Sequence, residues 1–214
     1  MKWDIASEFN SLIILVIIWI YSRRGSNLPI TKNKMFQVCL GFTFIGILSN
    51  IVSTVMIYHY QVIPISLTWI VTTIYFVFTP LMGVIYYFYV ITSVYTQIDQ
   101  IKRWIKRGAI PAIAYIVLVL SNIVNGHMFK ITPENGYERG DWLLCTYILS
   151  YLYCVLSLCV VIQNRKKIDK KTAYILGIFP LLATLIVIVQ QMFPRIILSG
   201  LASSCALLII YLYL

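Results

Sequence analysis

The run ISLTWIVTTIYFVFTPLMGVIYYFYVI, Ile65–Ile91, contains no Asp, Glu, Lys, Arg or His. As an α-helix it is about 40 Å long, more than the ~30 Å hydrocarbon layer of a bilayer requires. It reads as a membrane span. Six further apolar runs flank it: Ile5–Tyr21, Met35–Ile57, Ala109–Val124, Leu143–Gln163, Ala173–Phe193 and Ile197–Leu214. The expectation is an all-α fold, a polytopic bundle of seven transmembrane helices that forms a single domain over residues 1–214. With 60% hydrophobic and 11% charged residues in 214, the chain is far more apolar than soluble proteins are, and no separate soluble domain has room.

Orientation comes from the cations. Loops 22–34, 92–108 and 164–172 hold 13 of the 17 Lys and Arg, and the alternate segments hold Lys2, Lys130, Arg139 and Arg195. Lys and Arg accumulate on the cytoplasmic side, so the N-terminus is expected outside, the C-terminus in the cytoplasm and the protein in the cell membrane as a multi-pass chain. The tryptophans agree: Trp3, Trp69 and Trp142 fall at outer ends, and Trp19 and Trp104 at inner ends. The opening apolar run is not expected to be a signal peptide, because the acidic Asp4 and Glu8 stand at its outer end and Arg23 and Arg24 follow it. The net charge of +10 is scattered in short interhelical runs without a basic face, which argues against a nucleic-acid partner; the bilayer itself is the partner expected.

Two loops carry patterns of their own. In Gln97–Arg107, Ile98, Ile101, Trp104 and Ile105 recur at helical spacing among Lys102, Arg103, Lys106 and Arg107, which predicts a short helix lying on the inner leaflet. Between Asn125 and Trp142, Pro133-Glu134-Asn135-Gly136 predicts the turn of a β-hairpin capping the outer face.

Catalytic and metal chemistry find little support. Spans two to seven contain no ionisable Asp, Glu, Lys, Arg or His, which argues against a proton pump, a retinal protein or an intramembrane protease. No cofactor or metal is expected, and Cys39, Cys145, Cys154, Cys159 and Cys205 all fall in spans with no ligand spacing. His59 and His127 are separate loop residues. The remaining candidates are uncharged polar groups at the outer ends of the spans. Asn50, Asn122, Gln190 and Gln191, with Trp69 and Tyr147, come from different helices at one depth, as a small-ligand pocket requires. Interhelical hydrogen bonding is the alternative, and Gly46, Ser49, Asn50 and Ser53 form a small-residue stripe suited to close packing. Pro80 and Pro180 are expected to kink spans three and six and to deprive the carbonyls of Phe76 and Leu176 of their donors, leaving them to nearby hydroxyls or water.

The segments Phe179-Pro180-Leu181-Leu182, Gln190-Gln191-Met192-Phe193-Pro194, Leu198-Ser199-Gly200, Leu67-Thr68-Trp69, Thr79-Pro80-Leu81-Met82-Gly83 and Asn164-Arg165-Lys166 carry a likeness. Taken together they resemble the N-terminal seven-helix sensor region of Firmicutes GGDEF-type diguanylate cyclases, which is related to regions that precede histidine kinases. The resemblance implies an input module for a cytoplasmic output domain that makes cyclic di-GMP. No GGDEF signature lies within the chain, so this segment is expected to be non-catalytic, and the absence of a basic cluster after the last span is consistent with truncation. The implied partners are a small ligand or membrane stimulus and the output domain, with a homodimer also compatible. A small-solute transporter and a structural subunit are the competing readings; neither a three-helix repeat nor a Pro-Gln dipeptide is present to favour transport.

Overall fold

A computed structural model of the chain describes residues 5–24, 30–193 and 197–213. Each apolar run becomes one helix: α1 (Ala6–Arg24), α2 (Ile30–Tyr58), α3 (Ile65–Val94), α4 (Ile98–Asn125), α5 (Leu144–Gln163), α6 (Lys170–Met192) and α7 (Ser199–Tyr213). An antiparallel hairpin of β1 (Phe129–Thr132) and β2 (Gly136–Arg139) lies between α4 and α5. This is the architecture of an all-α membrane bundle. Helices α2 to α6 are long and apolar enough to cross a membrane, and α1 and α7 are shorter apolar helices. Several helices extend past their apolar runs, because a charged residue ends a hydropathy signal without breaking hydrogen bonds. Thus α2 takes in Lys32 and Lys34, and α6 starts at Lys170 behind an Asp169 cap whose carboxylate accepts from Thr172 N at 2.8 Å.

Side-chain contacts knit like ends together. Gln37 Nε2 donates to Ser22 Oγ (2.9 Å), Asn164 Nδ2 donates to Tyr95 Oη (3.2 Å), and Phe36 lies 6.3 Å from Tyr89 and 6.2 Å from Tyr211. The ends bearing the three basic segments therefore gather at one end of the bundle. At the other end Ser7 Oγ donates to Ile197 O, and Phe129 of the hairpin packs on Trp69 and Phe76 at 4.8 and 5.1 Å.

The segment 97–107 does not form a separate surface helix. Residues 98–107 are the first turns of α4, continuous with the apolar part. Their apolar face turns to protein: Ile101, Trp104 and Ile105 pack against the core and Trp104 stacks on Tyr95 at 6.2 Å. Gly108 lets α4 close on α3, since a Cβ there would overlap the Tyr87 ring. Amphipathic spacing marks a buried face without saying whether lipid or protein buries it.

The two prolines expected to kink spans lie inside helices, Pro80 in α3 and Pro180 in α6, and Pro111 lies inside α4 as well. A proline has no N–H for the carbonyl four residues back, and an unmet carbonyl in a dry interior is costly. The Tyr115 hydroxyl donates to Phe76 O at 3.0 Å, and the Tyr86 hydroxyl donates to Leu176 O at 2.7 Å. The two orphaned carbonyls thus receive hydroxyls from neighbouring helices, as the sequence predicts. Each such bond also ties helix to helix, α4 to α3 and α3 to α6.

The hairpin follows its turn chemistry. Thr132 pairs with Gly136 across a three-residue loop, and Gly136 at φ 68° takes the left-handed conformation that this turn needs. Met128 and Phe129 are fully buried, so the hairpin plugs the end of the bundle.

Candidate functional site

Beneath the hairpin, α2, α3, α5, α6 and α7 surround a cavity of about 180 Å³. Its roof is Tyr137 and Arg139 of β2, its floor includes Met82, Cys154 and Phe179, and between them runs a band of hydroxyls that includes Ser53, Thr72 and Tyr75. The prolines flank the floor: Thr79, Met82 and Gly83 line it from α3, and Phe179 and Ala183 line it from α6. Several wall hydroxyls are already engaged, Ser53 with Thr72 at 2.9 Å, Thr146 with Tyr115 at 2.9 Å and Ser150 on Thr146 O at 2.9 Å.

The structure brings together three of the six candidate ligand residues. Asn50, Tyr147 and Gln190 line the cavity. Trp69 does not; it packs against Phe129 under the hairpin. Asn122 is also elsewhere, with its amide fully used: Nδ2 donates to Phe129 O at 3.1 Å and Oδ1 accepts from Met128 N at 2.7 Å. A buried Asn beside a hairpin is the cheapest way to satisfy that strand's inward backbone groups, which explains its position at the end of α4. The side chain of Gln191 lies outside the described residues, as do Trp3 and Arg195. The α2 stripe is largely a packing surface: Gly46 faces Met82, Ser49 Oγ bonds back to Gly46 O at 2.9 Å, and Ser53 meets Thr72 across the α2–α3 seam.

The cavity wall also contains the start of α7. A helix opens with backbone N–H groups that lack internal partners. Gln190 Oε1, in the amide orientation its neighbours require, accepts from Leu198 N at 2.8 Å and Ser199 N at 3.1 Å. Glu8 of α1 takes the next group: its Oε1 accepts from Gly200 N at 3.1 Å and from Ser199 Oγ at 3.2 Å. A carboxylate at a helix N-terminus is stabilised by the aligned peptide dipoles. Gly200 is required for this approach, because a methyl there would overlap the Glu8 carboxylate. Side chains of α1 and α6 therefore cap α7, and both Gln190 and Ser199 line the cavity. Sequence reading missed Glu8, treating it as a marker of where the first apolar run begins. It is fully buried, and its partners lie more than 190 residues away.

Tyr137 and Arg139 were also missed. Two residues apart in a strand, they share a face, and that spacing was the available signal. Burial pushes the Tyr137 phenol up to about 12, against the pull of the Arg139 charge, so it remains an O–H donor at neutral pH. Among the described lining residues there is no carboxylate and no histidine, and no three His, Cys, Asp or Glu residues come together in a metal-sized group. His127 and His59 sit against Trp142 (4.8 Å) and Tyr58 (4.9 Å). No family model matches the chain, and no curated protein matches it.

Proposed function

We propose that the chain is a membrane-embedded sensory input module of seven transmembrane helices, with the hairpin end outside and the basic end in the cytoplasm. A molecule in the outer cavity acts on α7, and α7 carries the change inward to a cytoplasmic output domain. The diguanylate cyclase output suggested by the sequence resemblance is the specific form we favour, with this segment itself non-catalytic. The observation that supports the reading is the shared wall: Gln190 and Ser199 border the cavity and also hold the first turn of α7. An occupant that prefers one arrangement of that turn shifts the population of the last helix by its differential affinity, and no other mechanism is needed.

The test joins the chain through α7 to a diguanylate cyclase domain in cells and measures cyclic di-GMP. Tyr147→Ala and Ser150→Ala, which alter the α5 side of the wall without touching the α7 cap, are expected to change output while leaving expression and the melting temperature in detergent nearly unchanged. Output that follows only the loss of folded protein would reduce these residues to packing. Orientation is tested separately by impermeant labelling of single cysteines in a background without the native five. A cysteine at Lys130, on the exposed face of the hairpin, should label in intact cells and one at Lys166 should not.

A further inference from the structure

We propose that the cavity takes an amphipathic organic carboxylate, with its head held by Arg139 and Tyr137 under the hairpin and its body against Met82 and Phe179. This rests on the sensor reading for what binding accomplishes, and deepens it by naming the ligand class. Strand alternation sorts the charges: Tyr137 and Arg139 face the cavity, while Glu138 between them is paired across the hairpin with Lys130 and accepts from Asn135 Nδ2 at 2.9 Å. The positive group is thus turned toward the chamber and the adjacent negative group away from it. Arg139 is the one charged side chain among the described lining residues. Glu8, behind Asn50 and Ser199, is committed through Oε1 to the start of α7.

A guanidinium beside a protonated phenol offers several N–H donors and one O–H donor to the same point, a match for a carboxylate. An amine there would meet Arg139 with like charge. Below the band of hydroxyls, Met82, Phe179, Ala183 and Ile186 line the space with a thioether, a ring and aliphatic groups, which suits a hydrocarbon or aromatic body. A water needs roughly 10–15 Å³ on the same measure, so about 180 Å³ admits a molecule of on the order of ten non-hydrogen atoms. Arg139 is exposed at the mouth, so the head can be supplied either from the aqueous phase or from an acid dissolved in the bilayer.

The test uses the whole chain in uncharged phosphatidylcholine nanodiscs and measures saturable binding of hexanoate, hexanamide and hexylamine at neutral pH. Hexanoate should bind about tenfold to a hundredfold more tightly than either isostere, the range expected for a charge-assisted bond. Arg139→Gln should erase that preference, Arg139→Lys should keep part of it, and Glu138→Gln should leave it unchanged. A second arm loads the discs with decanoate, which partitions into the bilayer, and adds no soluble acid; saturation there without hexanoate binding keeps the carboxylate and assigns its source to the bilayer. The proposal is overturned if hexylamine or hexanamide equals hexanoate, if folded Arg139→Gln retains the preference, or if neither hexanoate nor decanoate binds. Should Arg139→Gln unfold the hairpin, the wild-type order of the three heads decides alone. Carboxylate binding that an attached output domain ignores would sink the sensor reading and leave this one standing.

Discussion

The tyrosine that replaces a proline's missing donor can be tested by a double-mutant cycle. Tyr86→Phe removes only the hydroxyl, and the ring keeps its stack on Phe179 at 3.8 Å between centroids. Leu176 is fully buried, and its carbonyl loses the 2.7 Å bond that stands in for the absent residue-180 N–H. Leaving a buried acceptor unmet costs about 1–3 kcal/mol, and interhelical bonds measured in membranes fall nearer ~0.6–2, so a loss of about 1–2 kcal/mol is expected. In a Pro180→Ala background, the introduced alanine supplies its own N–H to Leu176 O. There the same Tyr86→Phe change should cost less than about 0.5 kcal/mol, which leaves a coupling of about 1 kcal/mol between the two positions. Reversible unfolding of the detergent-solubilised protein by a denaturing detergent measures all four corners. Equal cost in both backgrounds would refute the reasoning, because the hydroxyl would then not be acting for the proline.

Three further outcomes follow from the same contacts. Asn122→Ala removes both bonds that hold β1 to α4, and should cost about 2–3 kcal/mol and speed proteolysis at Lys130, whereas a cut rate equal to wild type would contradict its role as the hairpin's anchor. Gly200→Ala should lower the melting temperature by forcing the Glu8 carboxylate off Gly200 N, and Glu8→Gln, which keeps an acceptor there, should be milder than Glu8→Ala; the reverse order would remove Glu8 from the cap. The bond from Thr172 N holds the Asp169 carboxyl below its usual range, so the cap's contribution is present above the unfolded-state value and is lost as the pH falls through the folded one. Asp169→Asn should therefore reduce the acid-side slope of melting temperature against pH, and an unchanged slope would show that the cap is not titrating.

Helix number, the two proline carbonyls and the hairpin turn were legible in the sequence, because each depends on residues close together in the chain. Apolar runs set helices, Pro80 and Pro180 name their own orphaned carbonyls four residues back, and Asn135-Gly136 sets a turn. The site was only partly legible. Depth in the membrane placed Asn50, Tyr147 and Gln190 at one level, and they do share a cavity; depth alone gave no rotation, which is why Asn122 and Trp69 turn instead to the hairpin. Glu8 was hidden because its meaning depends on Ser199 and Gly200 at the other end of the chain. Of the helically spaced Ile98, Ile101, Trp104 and Ile105, the last three are half-buried and Ile98 is exposed, and the covering surface, Tyr95 and the core, is a tertiary fact.

Hydrogen exchange of the amides at the start of α7, with the cavity empty and then filled, tests the central claim most directly. Ser150→Cys in a background without the native cysteines, modified by ethyl methanethiosulfonate, adds a disulfide-linked ethyl group at the α5 wall and leaves Gln190, Glu8 and α7 unsubstituted. The account predicts that exchange at Ser199, Gly200 and Leu201 changes on filling, while the amides of Ile113–Val117 in the middle of α4 exchange as before. A filled cavity that leaves the first turn of α7 exchanging at its original rate would contradict it.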